Sequence, residues 1–301
     1  MDKFAAMRTF RRVVELGGFS AAARDLKLSN AAVSAQVRDL EAELGVTLLA
    51  RTTRHVSTTE AGRAYYERCA RILDDVLEAE LALGALQAAP RGRLRINCPM
   101  AMGILHIAPA VAAFCKSYPE VRADLVMNDR TVDMIEEGFD ISLRVRAHLS
   151  DSSLVGRSIC GIKQIVCAAP AYLAEYGEPR TPSDLKLHRT LIYSLSSSPG
   201  RWSFRKGEDT HLVEAEDHFT ANSSLALREA LLAGLGVTVI PASYVGVDIR
   251  SGKLKALLPD YALDDLTLYA LYPSNRHLSP KVRTFVDFMA ACFATPPWNL
   301  E

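Results

Sequence analysis

Residues 17–62 read GGFSAAARDLKLSNAAVSAQVRDLEAELGVTLLARTTRHVSTTEAG, and the order of features in this stretch decides the fold of the headpiece. Gly17-Gly18 stops an amphipathic helix whose apolar residues are Phe4, Met7, Phe10, Val13 and Val14. Ser20 is expected to cap a second helix, AAARDL, whose alanines let a neighbour approach closely; Leu28 ends it and Ser29 caps a third. In the third, Val33, Val37, Leu40 and Leu44 recur at +4, +3, +4 and share one face. The opposite face presents Ala31, Ser34, Ala35 and Arg38. After Gly45, VTLLARTTRHVSTT forms two β-type runs around Arg51 and Arg54, the pattern of a two-stranded wing.

Downstream, Thr59 is expected to cap a long helix in which Tyr65, Cys69, Ile72, Val76, Ala79, Leu83 and Leu86 follow a heptad pattern. Run to Gln87, it would be about 40 Å long, too long for a small headpiece to cover. Its first turns are expected to pack on the headpiece. The stripe beyond Ile72 is expected to meet a partner helix and make a dimer. Ala88-Ala89-Pro90-Arg91-Gly92 breaks the helix, and the texture changes to alternating strands and helices. LRINC is a strand, IAPAVAAFCKSY a helix made irregular at Pro109, VRADLVM a strand, TVDMIEEG a helix and DISLRV a strand, a βαβαβ order that implies a mostly parallel sheet. LVGRSI and KQIVCAA add strands, and Thr181-Pro182-Ser183-Asp184 opens a short helix. SSLALREALLAG then GVTVIP is helix, turn, strand. LTLYALY is a late strand expected to return to the first of two α/β units, and Ser279-Pro280 opens a last helix reaching about Phe293.

The remaining composition is that of a soluble globular chain: 301 residues, 49% hydrophobic and 23% charged, enough for two or three folded units. Net charge is zero, yet residues 1–71 hold twelve Lys/Arg against eight Asp/Glu, so the positive charge gathers at the N-terminal end. No run approaches 18 consecutive apolar residues, and MDKFAAMRTFRR places charge where a signal peptide needs an apolar core. The expectation is a cytoplasmic protein without a membrane partner. Six scattered cysteines without CxxC are expected to be buried and reduced.

These residues resemble the LysR-type transcriptional regulator family. The headpiece resemblance rests on the stretch quoted above, and that of the remainder on RLRINCP, NDRTVDMIEEGFDISLRV, ALLAGLGVTVIP and LYPSNRHLSPKVRTFVDFM. It implies an α + α/β fold: an N-terminal winged helix-turn-helix (1–58), a linker helix (59–89), and an effector domain (90–301) like periplasmic binding proteins. That domain would hold two Rossmann-like subdomains, about 90–160 with 267–301, and about 161–266. The implied partners are double-stranded DNA carrying an interrupted palindrome, a small-molecule effector, and further copies of the chain as a homodimer or homotetramer; RNA polymerase is a further candidate. No cofactor or metal is implied.

A helix about 10–12 Å wide fits the major groove, and Ser29, Asn30, Ala31, Ser34, Ala35 and Arg38 lie on its start and outer face. Asn30 and Ser34 suit base-edge hydrogen bonds, whereas Ala31 and Ala35 offer only methyl contacts; Ala35 stands where many family members carry an arginine. Arg38 and Arg54 suit phosphate or minor-groove contact, and helix capping competes as the role of Ser29. In open α/β units ligands bind at the carboxyl ends of strands. That rule selects Met100, Ala101, Met102, Asn128 and Arg146 from the first unit, and Ser194, Asn222 and Ser223 from the second. Met100 and Met102 replace small polar residues common in the family, and Arg146 with His148 replaces a glycine-containing stretch. The expected effector is a small carboxylate with an apolar body, held by Arg146 or by the Asn222-Ser223 helix start; core packing competes for the methionines and a surface role for Arg146.

Other classes fit less well. GxSxG, GxxxxGK[ST], HExxH and a phosphate-binding GxGxxG are missing, and no two of the seven histidines are spaced i, i+4; His211 and His218 come nearest to a metal spacing. An enzyme is not expected. Cys160 and Cys167, seven apart, keep a redox-sensing regulator as an alternative, although their strand-like settings favour burial. A binding protein without DNA function would leave the basic headpiece without a purpose.

Overall fold

The computed structural model describes residues 2–51, 56–82, 89–130, 133–148, 154–273 and 279–299. They form two compact units, Met1–Ala88 and Ala89–Glu301. In the first, α1 (Lys3–Glu15), α2 (Phe19–Leu26) and α3 (Asn30–Leu44) enclose a core of Phe10, Val13, Ala22, Val33, Val37 and Leu40. Ser29 caps α3, its hydroxyl accepting from the Ala32 N–H at 3.1 Å. Ser20 does not cap α2. The extended backbone of Gly18 starts that helix earlier, so Phe19 packs on the core and Ser20 falls inside the first turn. α2 ends at Lys27 in the left-handed conformation, φ 55°, without a glycine.

β1 (Leu49–Arg51) and β2 (Val56–Thr58) pair antiparallel as the wing, and its tip with Arg54 lies outside the described residues. Thr59 caps α4 (Glu60–Ala82): its Oγ1 accepts from the Gly62 N–H at 2.9 Å and donates to the Thr47 carbonyl at 2.8 Å. At 1.5 Å per residue the described helix is about 34 Å long. Tyr65, Cys69 and Leu73 join the headpiece core, whereas Ile72 is 45% exposed. Leu83 and Leu86, with the expected run to Gln87, lie outside the described residues.

The second unit opens with β3 (Gly92–Cys98) and one continuous helix in three parts: α5 (Met100–Met102), a π-helical turn (Gly103–Ile107) and α6 (Ala108–Ser117). The helix therefore starts seven residues before Ile107, where the pattern puts it. The irregularity expected at Pro109 sits just upstream, with the Ala108 N–H reaching back to Gly103 O, because proline has no N–H to continue the regular ladder. This helix is long and apolar enough to cross a bilayer, but Met102, Ile107, Val111 and Phe114 are buried within the domain core.

There follow β4 (Val121–Met127), α7 (Met134–Glu137), β5 (Ile141–Arg146), β6 (Leu154–Ile162), β7 (Gln164–Ala168) and α8 (Pro170–Tyr176). A 3-10 turn, Pro182–Leu187, carries the expected Thr181/Asp184 capping box. Then come β8 (Thr190–Tyr193), β9 (Arg201–Lys206), β10 (Asp209–Glu214), β11 (Asp217–Ala221), α9 (Ser224–Leu232), β12 (Val237–Pro241) and α10 (Ala242–Arg250). β13 (Lys255–Leu257), β14 (Ala262–Leu263), β15 (Leu266–Pro273) and α11 (Pro280–Cys292) complete the domain.

One five-stranded sheet has the order β4-β3-β5-β15-β6, with β3 parallel to β4 and β5. The late strand β15 returns to it as expected, entering antiparallel between β5 and β6 and placing Leu268 opposite both Val145 and Cys160. The other five-stranded sheet runs β11-β8-β12-β7-β13, with β8 parallel to β11 and β12. A small antiparallel sheet, β10-β9-β14, packs against it, with Phe204, Val213 and Leu263 sharing a core with Val166, Ala168 and Val237. The chain leaves the first large sheet for the second at Lys163, and it returns to the first past Asp264, coming from β14 of the small sheet. Gln164 Nε2 donates to the Asp264 carbonyl at 2.8 Å, tying the two crossings together.

Candidate DNA interface and effector cleft

The buried stripe of α3, Val33, Val37 and Leu40, holds the opposite side outward: Asn30, Ala31 and Arg38 are exposed, Ser34 and Ala35 half-buried. Neighbouring contacts fix the orientation of this helix. Arg12 of α1 donates to Asp25 of α2 at 2.7 Å, tying together the two helices under α3 and holding the Asp25 carboxyl below its usual range; burial works to raise Glu15, but Arg11 and then Arg12 hold it low. Glu41 on α3 accepts from the N–H groups of Leu48 and Leu49, at 2.8 and 3.1 Å, and so anchors the wing to the same helix. Glu41 is not among the residues that the sequence pattern singles out. An acid followed by a buried Leu-Leu pair seven residues on is a faint signal. Gly62 brings α4 against β1 so closely that a β-carbon there would stand 1.9 Å from Leu48 O.

In the effector domain, the carboxyl ends of β3, β4 and β5 converge. Met100 opens α5 at 36% exposure, and its N–H donates to Asp129 Oδ1 at 2.9 Å. Ala101 and Met102 turn into the core instead of the cleft, because the helix begins at Met100 and its next residues face the sheet. Asn128 is engaged locally: its N–H donates to Cys98 O, and its side-chain oxygen accepts from Arg130 N at 2.8 Å. Arg146 ends β5 half-buried.

Across from these, Ser194 N–H bonds Ala221 O at 2.9 Å, joining the ends of β8 and β11. Asn222 is exposed and Ser223 half-buried; Ser223 occupies the N-cap of α9, yet its hydroxyl makes no cap bond. The two sides meet through residues the sequence reading did not select. Burial, with the Asp129 carboxylate adding, pushes the Tyr193 phenol up to about 12. Tyr244 on α10 is raised by burial first, then by Tyr193, Asp129 and Cys98. Tyr193, Tyr244 and Asp129 are therefore electrostatic neighbours.

Burial also raises the thiols, Cys98 to about 12 and Cys160 to about 11, and Cys167 is raised as well. None is poised as a thiolate. Among the described residues no group of three or more His, Cys, Asp or Glu side chains is arranged to hold a metal.

Two family models match the sequence: "Bacterial regulatory helix-turn-helix protein, lysR family" over residues 4–63, and "LysR substrate binding domain" over residues 87–294. The HTH-type transcriptional activator AaeR of Escherichia coli K12 is 37% identical over 294 residues, covering 97% of this chain and 94% of that protein. An HTH-type transcriptional repressor of Pseudomonas aeruginosa UCBPP-PA14 is 36% identical over 299 residues, 99% of this chain and 94% of its own. The solved structure of CrgA, a LysR-type regulator from Neisseria meningitidis, superposes with a TM-score of 0.62 at 36% identity, covering 95% of this chain and 97% of that one.

Proposed function

This chain belongs to the LysR family of transcriptional regulators, and from that premise we propose that it reads an interrupted palindrome in duplex DNA as a homodimer or homotetramer under control of a small carboxylate. The observation that carries the reading is α3, whose outer residues Asn30, Ala31, Ser34, Ala35 and Arg38 stand on a helix locked by its buried stripe. Asn30 and Ser34 contact base edges in the major groove, and Arg38 contacts phosphate; Arg54 on the wing joins it. Pairing through α4 beyond Ile72 sets two such helices on a two-fold axis, and the exposure of Ile72 supports this.

The effector sits between the carboxyl ends of the two parallel strand sets, near Met100, Arg146, Ser194, Asn222 and Ser223. Its anion takes the arginine or the uncapped α9 start, and its apolar body meets Met100. Binding acts on DNA by favouring one quaternary arrangement, which alters headpiece spacing. One relative is named an activator and another a repressor, so this architecture serves either output, with RNA polymerase the partner of the activating one. The raised thiols give the redox alternative no support.

Genome-wide capture with the purified protein at stated near-physiological salt, followed by footprinting, tests the DNA half. A few interrupted palindromes are expected, and uniformly diffuse, salt-labile binding with and without effector counts against it. A thermal-shift screen tests the effector half. Stabilisation by cations or sugars and by no carboxylate overturns it.

A further inference from the structure

Arg144 and Arg146 are two apart on β5, so their side chains leave the same face of the strand. The other face carries Ile141, Leu143 and Val145, which belong to the hydrophobic core or pack on it. Beside Arg144, the β3–β5 register places Asn97 opposite Ser142, and both are buried. Arg144 itself is only 8% exposed. Its guanidinium donates to Asn97 Oδ1 and, at 3.2 Å, to the Leu143 carbonyl. Asn97 is held in turn, its amide donating to Val126 O at 3.2 Å, so it presents a fixed acceptor to the arginine.

This arrangement lacks a counter-ion among the described residues. Among the described residues neither Arg144 nor Arg146 has a carboxylate within ion-pairing distance. Asp129 and Glu137 reach Arg144 only at longer range, and Asp129 already accepts from the Met100 N–H. Burial, followed by the like charge of Arg146, works against the protonated form of Arg144. An arginine does not shed its proton to escape such a setting, so the cost stands until an anion arrives. Among the described residues Arg144 Nε has no acceptor, and it is not sealed from solvent.

We propose that Arg144 is the primary anchor for the effector's anionic group, oriented by Asn97 and seconded by Arg146, at a site selective for planar carboxylates. A guanidinium fork matches a carboxylate with two parallel hydrogen bonds, which a lysine does not reproduce. Asn97 is a positioning residue, acting only through Arg144. The inference rests on the carboxylate reading above and names the residue that recognises the charge.

The test is calorimetric titration of the full-length protein with benzoate, its neutral isostere benzamide, and acetate and citrate as smaller and larger carboxylates, at matched ionic strength. Arg144→Gln is expected to weaken binding of the carboxylates at least ten-fold while leaving benzamide unchanged. Arg144→Lys should recover only part of the loss, and Arg122→Gln, an exposed change on β4, none of the defect. Arg144→Met guards against misfolding: it should melt at or above the wild-type temperature without ligand and gain nothing from benzoate. Unchanged carboxylate affinity in folded Arg144→Gln and Arg144→Met overturns the anchor and leaves the carboxylate reading intact. No binding of any of the three carboxylates to wild type removes that reading, and the anchor with it.

Discussion

The indole of Trp298 stands edge-on to the imidazole of His106, ring centroids 4.4 Å apart. His106 belongs to the π-helical turn beside the first sheet, and its Nε2 donates to the Ser243 carbonyl of α10 at 2.7 Å. Arg250, at the end of α10, donates to the carbonyls of Pro297 and Asn299 on either side of the indole, at 3.0 and 2.8 Å. The segment after α11 thus fastens the first subdomain to the second.

Trp298 is 2% exposed, so Trp298→Ala is expected to cost about 3–5 kcal/mol of effector-domain stability. Trp298→Phe should recover much of it, since Trp298 Nε1 has no acceptor to lose among the described residues. Denaturant unfolding of the two variants checks this; a loss under about 1 kcal/mol for the alanine variant, the size of an ordinary surface change, would count against the fastening.

The same residue pair predicts a pH effect. Burial holds the His106 pKa below its ordinary value, with the Ser243 bond opposing, and His188 is lowered likewise by burial against Asp184. Both are favoured neutral in the folded state, so the stability they contribute is complete above the unfolded value of about 6.5 and is lost as pH falls through their lower folded values. Melting temperatures from pH 7.5 down to 5.5 should therefore fall. His106→Gln should flatten the slope, and an unchanged slope would assign the effect elsewhere.

Lys27 ends α2 with a left-handed backbone that a β-carbon disfavours. Lys27→Gly is expected to raise headpiece stability by about 0.5–1 kcal/mol, read as a higher melting temperature of the full chain's headpiece transition.

Glu41→Ala removes the acceptor for Leu48 and Leu49, at a cost of about 1–3 kcal/mol. Because the wing hangs on that carboxylate, footprints should lose protection outside the major groove before the contacts of α3 weaken. Glu41→Gln keeps a side-chain oxygen and should be milder.

Arg38→Ala should weaken binding to all sequences about equally and reduce the salt-dependence slope by about 1. A selective loss at one base position would instead make Arg38 a base reader.

Helix α3, the wing and the return of β15 were legible because each carries a strong local pattern: a 3.6-residue stripe at Val33, Val37 and Leu40, paired β-type runs around arginines, and LTLYALY. Ser20 misled because a serine before alanines looks like a cap, while the extended backbone of Gly18 and the packing of Phe19 decide the start. Helix α10 went unread, since ASYVGVDIR mixes β-branched residues and a glycine with no visible stripe. Tyr244 was lost with it. The strand-end rule selects Asn128 and Arg146 but passes over Asp129, which accepts from a helix start, and Arg144, which has no carboxylate partner among the described residues; both are tertiary facts.

The interleaved order of the large sheets bears on how the chain is made. β15, emerging after the whole of the second subdomain, is the strand that covers the open side of β5 and gives β6 its pairing. A ribosome that stops after β14 releases a finished headpiece attached to a sensor with bare strand edges. Such nonsense fragments should fall to aggregation or proteases when abundant. Those that survive would still compete with intact protein for its operators, deaf to any signal, so truncating alleles late in the gene should act dominantly where early ones are silent.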